Sequence, residues 1–358
     1  MERDRCGQTR YARQMLLKEI GSDGQALLAR ARVLVIGCGA LGSVAAELLA
    51  RAGVGLLRIA DRDIVEAGNL HRQILFAEQD ALDMAPKAEA AARRLASINS
   101  SIRIEPLVAD VNADNIERIC GLTTSAESRQ RVDLILDGTD NVETRYLIND
   151  VAVKHNVRWI YAGCVATEGR VMAVLPGKTP CLRCIFRDPP RAGELPTCDT
   201  VGVLGPAAAA TAAMQAALAI RLLCHPEAAP ESHFISLDVW RADFRVVSLP
   251  ASPDEGCPCC GQRRFEFLES ERTQRVQVLC GQNSVQLAPA PGARFDMEPV
   301  AERLRAAGKL TRTPYFSRCE LEQPDGLTLI VFADGRMIVH GTQDVALARS
   351  IVARFVGT

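Results

Sequence analysis

Arg32-Val33-Leu34-Val35-Ile36-Gly37-Cys38-Gly39-Ala40-Leu41-Gly42 reads as a buried strand that turns on glycines into a helix. The apolar run has the composition of a strand covered on both faces. No Gly or Pro interrupts the following helix before Gly53. Gly37, Gly39 and Gly42 let the backbone approach a phosphate closely, and free N–H groups at the helix start offer it partial positive charge. A second strand, Leu56 to Ala60, leads into Asp61, nineteen residues beyond Gly42. An acid at that place can bind ribose hydroxyls. Alone, this is the dinucleotide-binding fingerprint, and its default reading is an NAD-dependent oxidoreductase.

The next residues argue against that default. Asp61-Arg62-Asp63-Ile64-Val65-Glu66 is followed by Asn69-Leu70-His71-Arg72-Gln73, and Lys87 follows Pro86 at the start of an Ala-rich helical stretch. A nicotinamide cofactor gains little from a further Arg and Lys beside its two phosphates. A triphosphate about to lose pyrophosphate does gain, because fixed cations stabilise charge building on the leaving group. A third strand, Val132 to Asp137, runs into Gly138-Thr139-Asp140-Asn141. Asp140 then sits at the carboxyl end of a parallel strand, where open α/β sheets place their ligands, and a carboxylate there suits Mg²⁺ bridging phosphates. The pattern is that of a nucleotidyl-transfer site.

Arg10-Tyr11-Ala12-Arg13-Gln14, the GCGALG turn, the run Asp61 to Gln73 and Asp137-Gly138-Thr139-Asp140-Asn141 together resemble the MoeB/ThiF/HesA family, relatives of the ubiquitin-activating enzymes. The resemblance runs from Arg10 to Gln262, about 70 % of the chain. It implies an enzyme that uses ATP to adenylate the C-terminal glycine of a ubiquitin-like sulfur carrier. It places phosphates on Gly37, Gly39 and Gly42 and the ribose on Asp61. Arg72, Gln73 and Lys87 would contact the triphosphate, with Asp63, Asn69 and Asn141 beside them, and Asp140 would hold Mg²⁺. Arg13 matches an arginine that the family supplies from a neighbouring subunit, which implies a homodimer. The carrier would end in Gly-Gly, and a cysteine desulfurase or another sulfur donor is the expected further partner. A non-catalytic partner subunit is the principal alternative; molybdopterin, thiamine, cysteine and tRNA-thiolation pathways all stay open.

Thirteen cysteines in a chain with a polar, charged N-terminus argue against a disulfide framework and for a reducing cytoplasm. Cys181-Leu182-Arg183-Cys184 and Cys257-Pro258-Cys259-Cys260 are two C-x-x-C pairs, a spacing that lets two thiolates reach one tetrahedral Zn²⁺. The family has two such pairs at matching places, which implies a structural zinc on Cys181, Cys184, Cys257 and Cys260 with Cys259 spare. Cys198 lies in Arg187 to Gly202, a stretch too rich in Pro and Gly to read as a helix. The family places a Thr-Cys there, which makes Cys198 a candidate nucleophile or sulfur relay. Cys164 reads as a small core residue.

A net charge of −1 gives no case for nucleic acid or an anionic membrane. The apolar run Val201 to Leu223 is long enough to span a bilayer, but Gly205-Pro206, Thr211 and Gln215 favour a buried helix. The expected fold is α/β: a Rossmann-like, mostly parallel sheet with an antiparallel extension and a four-cysteine zinc site. Residues 1–268 form the adenylation domain, with a nucleotide-binding half at 31–160 and a carrier-docking half at 161–268. Residues 270–358 read as a small α+β domain in the order β-α-β-β-β-α. They show no rhodanese-like cysteine loop, since Cys280 and Cys319 fall at or within strands.

Overall fold

The structure, a computed structural model, describes residues 10–123, 130–190, 198–227, 232–269, 276–279, 283–288 and 296–357. The chain divides into two compact units, residues 1–270 and 271–358. In the first, a short helix α1 (Ala12–Met15) and α2 (Gly21–Leu28) precede β1 (Arg32–Ile36), α3 (Ala40–Ala52) and β2 (Leu56–Asp61). There follow α4 (Lys87–Ile98), β3 (Arg103–Val108), β4 (Leu134–Asp137), α5 (Val142–His155), β5 (Arg158–Val165) and β6 (Glu168–Val174). Helix α6 (Gly205–Cys224) then leads to the hairpin β7 (His233–Asp238) and β8 (Asp243–Ser248).

These strands form one eight-stranded sheet in the order β3-β2-β1-β4-β5-β6-β7-β8. Pairing is parallel from β3 to β5 and antiparallel from β5 to β8. The order reverses between β1 and its neighbours β2 and β4, so the ends of these strands open a crevice suited to a ligand. One layer of core packs α3, α4 and α6 on the sheet around Val33, Val35, Leu57 and Leu136; the other packs α5 and the cysteine pairs around Leu34, Ile135 and Trp159.

Among the described residues, Gly205–Cys224 is the one helix long and apolar enough to cross a membrane, and half of its apolar window is buried within the fold. Its Ala207, Ala208, Thr211, Ala212 and Gln215 face the core, so small side chains here serve close packing on α3.

The second unit departs from the expected order. Its elements are β9 (Val276–Leu279), β10 (Ser284–Leu287), α7 (Met297–Arg305), β11 (Gly308–Arg312), β12 (Phe316–Leu321), β13 (Thr328–Phe332), β14 (Met337–His340) and α8 (Val345–Phe355). They build a six-stranded antiparallel sheet in the order β11-β12-β13-β14-β10-β9. Strands β10 and β11 were missed by sequence: one alternates polar and apolar over only four residues, too short a run to stand out, and the other opens on Gly308 without clear alternation. Helices α7 and α8 cover the face that bears Val285, Cys319, Leu329 and Val339. Cys319 is buried there, and Cys280 lies outside the described residues.

Candidate functional site

The crevice is shaped by backbone before any side chain enters it. Gly37 takes φ +85°, and a Cβ on Gly42 would lie 1.9 Å from the Gly37 carbonyl oxygen. A Cβ on Gly138, after β4, would lie 2.3 Å from that same oxygen. The β1–α3 and β4–α5 turns therefore touch through three glycines and hold each other. No side chain caps α3, which leaves the N–H groups of its first turn directed at the crevice.

Asp61 is almost fully buried and ties this turn down. One carboxylate oxygen accepts the Cys38 N–H at 2.6 Å and the other accepts the Asp63 N–H at 2.7 Å. Burial raises its pKa against the opposing pull of Lys87. Burial likewise pushes the Cys38 thiol up, so that cysteine is a neutral core residue in the turn. Across the turn, Gln73 is buried with its side-chain oxygen unpartnered, and its nitrogen lies 3.8 Å from where a Gly39 Cβ would sit.

Lys87 opens α4, and its ammonium lies 3.2 Å from the Asp63 carboxylate. Backbone fixes the pair: the Lys87 N–H donates to the Asp63 carbonyl at 2.9 Å, beside a bridge between Ile64 and Pro86. Burial alone would lower the pKa of this ammonium, but Asp63, Asp61 and Asp140 outweigh it and hold the group above the usual lysine range. Asp63→Asn removes the nearest of these acids. The expected result is about tenfold slower catalysis, with activity now lost on the alkaline side as the less stabilised ammonium deprotonates. A pH series of pyrophosphate exchange checks this, with Asp63→Glu expected to restore the wild-type profile.

Arg72 is aimed by its own neighbours, donating to the Gly68 carbonyl at 2.9 Å and the Asn69 side-chain oxygen at 3.2 Å. Asn69 thus props Arg72. Asp140 is exposed at the end of β4, while Asn141 caps α5 by accepting the Thr144 N–H at 3.1 Å. A cap was legible in that Asn, three residues before Thr144.

Two arginines of this edge, Arg62 and Arg145, escaped sequence reading. Arg62 lies 3.2 Å from Asp110 and 3.6 Å from Asp63, linking the ends of β2 and β3. Arg145 pairs with buried Asp137 at 3.1 Å and donates to the Thr139 carbonyl at 2.7 Å, which shapes the loop presenting Asp140. Burial pushes Asp137 up to about 6 despite Arg145.

Arg13 stands apart from all of these. Gln14 beside it donates to the Ala52 carbonyl at 3.0 Å, and a Cβ on Gly53 would strike the Tyr11 ring at 2.6 Å. Both contacts are at the C-terminal end of the 13-residue α3, about 20 Å from its start at the crevice. Within one chain Arg13 does not reach the crevice.

The four cysteines do meet. Cys181 and Cys257 sulfurs are 3.6 Å apart, Cys181 and Cys184 3.8 Å, and Cys184 and Cys260 3.3 Å, and all four lie within 4.8 Å of one another. A tetrahedral zinc with about 2.3 Å bonds sets its sulfurs about 3.8 Å apart, so the donor set fits that ion. Hydrogen bonding from Cys184 foremost draws the Cys181 thiol down, and the same contact pushes Cys184 up to about 12. Cys259 is not one of the four; its thiol interacts with Cys181 and accepts from Asn149 at 3.2 Å, while the Asn149 oxygen accepts the Leu182 N–H at 2.9 Å. Cys198 begins a single helical turn, Cys198–Val201, where an irregular stretch was expected; residues 191–197 and the Cys198 side chain lie outside what the structure describes.

The ThiF family profile matches residues 11–259. The chain is 41 % identical over 349 residues to the Bacillus subtilis sulfur carrier protein ThiS adenylyltransferase, covering 97 % of this chain and 99 % of that one. It is 35 % identical to the Thermus thermophilus sulfur carrier protein adenylyltransferase over 76 % of this chain and 96 % of that one. In fold it is similar to Escherichia coli MccB crystallised with ATP, at a TM-score of 0.59 and 23 % identity over 70 % of this chain and 74 % of the other. The chain belongs to the ThiF family.

Proposed function

We propose that this protein adenylates the C-terminal glycine carboxylate of a ubiquitin-like sulfur carrier. The observation that carries the reading is the crevice itself, where the uncapped start of α3 lies by Gln73 and the buried Lys87 ammonium feels Asp63, Asp61 and Asp140. The carboxylate attacks the α-phosphorus of ATP, giving carrier acyl-adenylate and pyrophosphate. The attacking carboxylate is already ionised near neutral pH, so no general base is required. Rate comes from orientation and from cations placed where charge builds on the leaving group. Asp140 would hold Mg²⁺, which supplies further neutralisation of the phosphates when bound. Asp61 presents the spare lone pairs of its two oxygens to the ribose, and Gln73 its unpartnered oxygen to the nucleotide.

Similarity to a ThiS adenylyltransferase along nearly the whole chain, second unit included, favours a ThiS-like carrier. Strands β6 to β8 would dock it, since Trp240, Phe244, Val246 and Val247 there are all more than half exposed. Cys198 is the candidate acceptor of the activated carrier, with sulfur arriving from a separate donor. The thiols of the zinc site must stay reduced to bind metal, which supports a cytoplasmic location. Arg13 reaches a triphosphate only from a second copy, so the working unit is a homodimer with composite sites.

The test is ATP–pyrophosphate exchange with purified protein and a panel of Gly-Gly carriers. Exchange is expected to require Mg²⁺ and a ThiS-like carrier and to vanish when its terminal glycine is removed. Exchange without any carrier, or with none of them, would sink the reading.

A further inference from the structure

We infer that Arg62 is a positioning residue for the adenylation step: it holds the Asp63 carboxylate, and through it the Lys87 ammonium, against the loop that follows β3. This rests on the proposed adenylation and adds a residue that works without touching the nucleotide. Four side chains of alternating charge stand in a row here. The Asp110 carboxylate lies 3.2 Å from the Arg62 guanidinium, which lies 3.6 Å from one Asp63 oxygen, and the other Asp63 oxygen lies 3.2 Å from Lys87. The row crosses three segments, with Asp110 just past β3, Arg62 and Asp63 just past β2, and Lys87 at the start of α4.

The far end of the row is firmly built. The Ala109 N–H donates to the Asp61 carbonyl at 3.2 Å, which ties the end of β3 to the end of β2. The Asp110 carbonyl accepts the side-chain amides of Asn112 at 2.6 Å and Asn115 at 2.8 Å, closing the loop on itself. Asp63 is the soft member. Its backbone is fixed through Asp61 and Lys87, but its side chain is 37 % exposed, against 18 % for Asp110 and 8 % for Lys87. A carboxylate so open to water keeps one rotamer when fixed charges hold both of its oxygens. Arg62 suits that task because a guanidinium presents its donors in a rigid fork, Nη1 towards Asp110 and Nε towards Asp63.

Electrostatics sets the row beside the reaction. Burial alone would lower the pKa of the Arg62 guanidinium, but Asp63, Asp110 and Asp140 outweigh it and hold the group above the usual arginine range. Asp140 acts on Lys87 as well, so both cations of the row stand within reach of the carboxylate proposed for Mg²⁺. An Asp63 carboxylate free to swing would carry Lys87 with it, and small misplacements at a reacting centre cost rate.

The test is a double-mutant cycle on Arg62→Ala and Asp63→Asn, read by kcat of pyrophosphate exchange with a ThiS-like carrier and, separately, by calorimetric titration with ATP. The two variants change the charge of the row in opposite directions, yet both break it. Each is expected to lower kcat about tenfold, and the double variant also about tenfold, because its second cut falls on a row already severed. ATP affinity is expected to follow charge instead, weaker in Arg62→Ala and within about threefold of wild type in the double variant, where the removed charges cancel. Asp110→Asn keeps every cation and loosens the far anchor, with kcat expected to fall about threefold at unchanged zinc content. Losses that multiply to about a hundredfold in the double variant would put Arg62 on the nucleotide itself and overturn the positioning role. Recovery of kcat in the double variant would reduce the effect to charge balance, and wild-type kcat in either Arg62→Ala or Asp110→Asn would leave Arg62 a strap between strands; each overturns the inference. Wild-type protein that exchanges with no carrier sinks the adenylation reading and the inference with it, whereas normal wild-type exchange beside any of these failures sinks the inference alone.

Discussion

Asp140→Ala is expected to slow ATP–pyrophosphate exchange by about 10²-fold or more, the scale set by losing one preorganised charge at a reacting phosphate. Zinc content and melting temperature are expected to stay at wild-type values, because the side chain is exposed and its loop is held by other groups. Gly138 rests on the Gly37 carbonyl, and Arg145 bonds the Thr139 carbonyl at 2.7 Å. The loop therefore keeps its course without the carboxylate, and the loss falls on chemistry. Isothermal titration would show ATP still binding, with its dependence on Mg²⁺ flattened. Exchange within threefold of wild type would remove Asp140 from the reaction.

Cys257→Ser is expected to act on the other arm, taking the zinc-to-protein ratio from one to near zero and lowering the melting temperature. Structural zinc contributes its binding free energy directly to folding, on the order of 10 kcal/mol in small domains. A zinc on these four sulfurs would join the segment after β6 to the segment after β8, so its loss would free a long loop as well as a metal. Arg183, buried and paired with Glu266 at 3.0 Å, and Asn149 brace the same corner and soften the effect. Cys259→Ser supplies the contrast: its sulfur is not one of the four that lie within 4.8 Å of one another, so metal content is expected to hold. Plasma-emission zinc analysis and calorimetry of the two variants check the assignment. Equal zinc in Cys257→Ser and wild type would overturn it.

The parts of this molecule written in local sequence were readable. The strand–turn–helix at Arg32 to Gly42, the acid at Asp61 and the two cysteine pairs each depend on neighbours within a few positions. The parts that depend on the sheet were not. Arg62 becomes a clamp only because β3 delivers Asp110 beside β2, and Arg145 acquires its role only when α5 folds back over β4. Asp61 shows the same limit from the other side. Its position was predictable, but its engagement with the Cys38 and Asp63 amides emerges only once the turn is built. Asp63 likewise reads in sequence as a nucleotide contact, whereas in the fold its carboxylate holds Lys87. In the second unit, the shortness of β10 and the glycine start of β11 left both invisible until their partners were in place.

The contact among Gly37, Gly42 and Gly138 bears on how such an enzyme can be retooled. This wall of the crevice is stored in carbonyls and bare Cα atoms, a mould with no side chain to exchange. A randomised library spanning both turns would return survivors that keep glycine at all three places and vary only between them. On the proposed function, selection for a different nucleotide would have to work on the residues that meet base and ribose, leaving this backbone wall untouched.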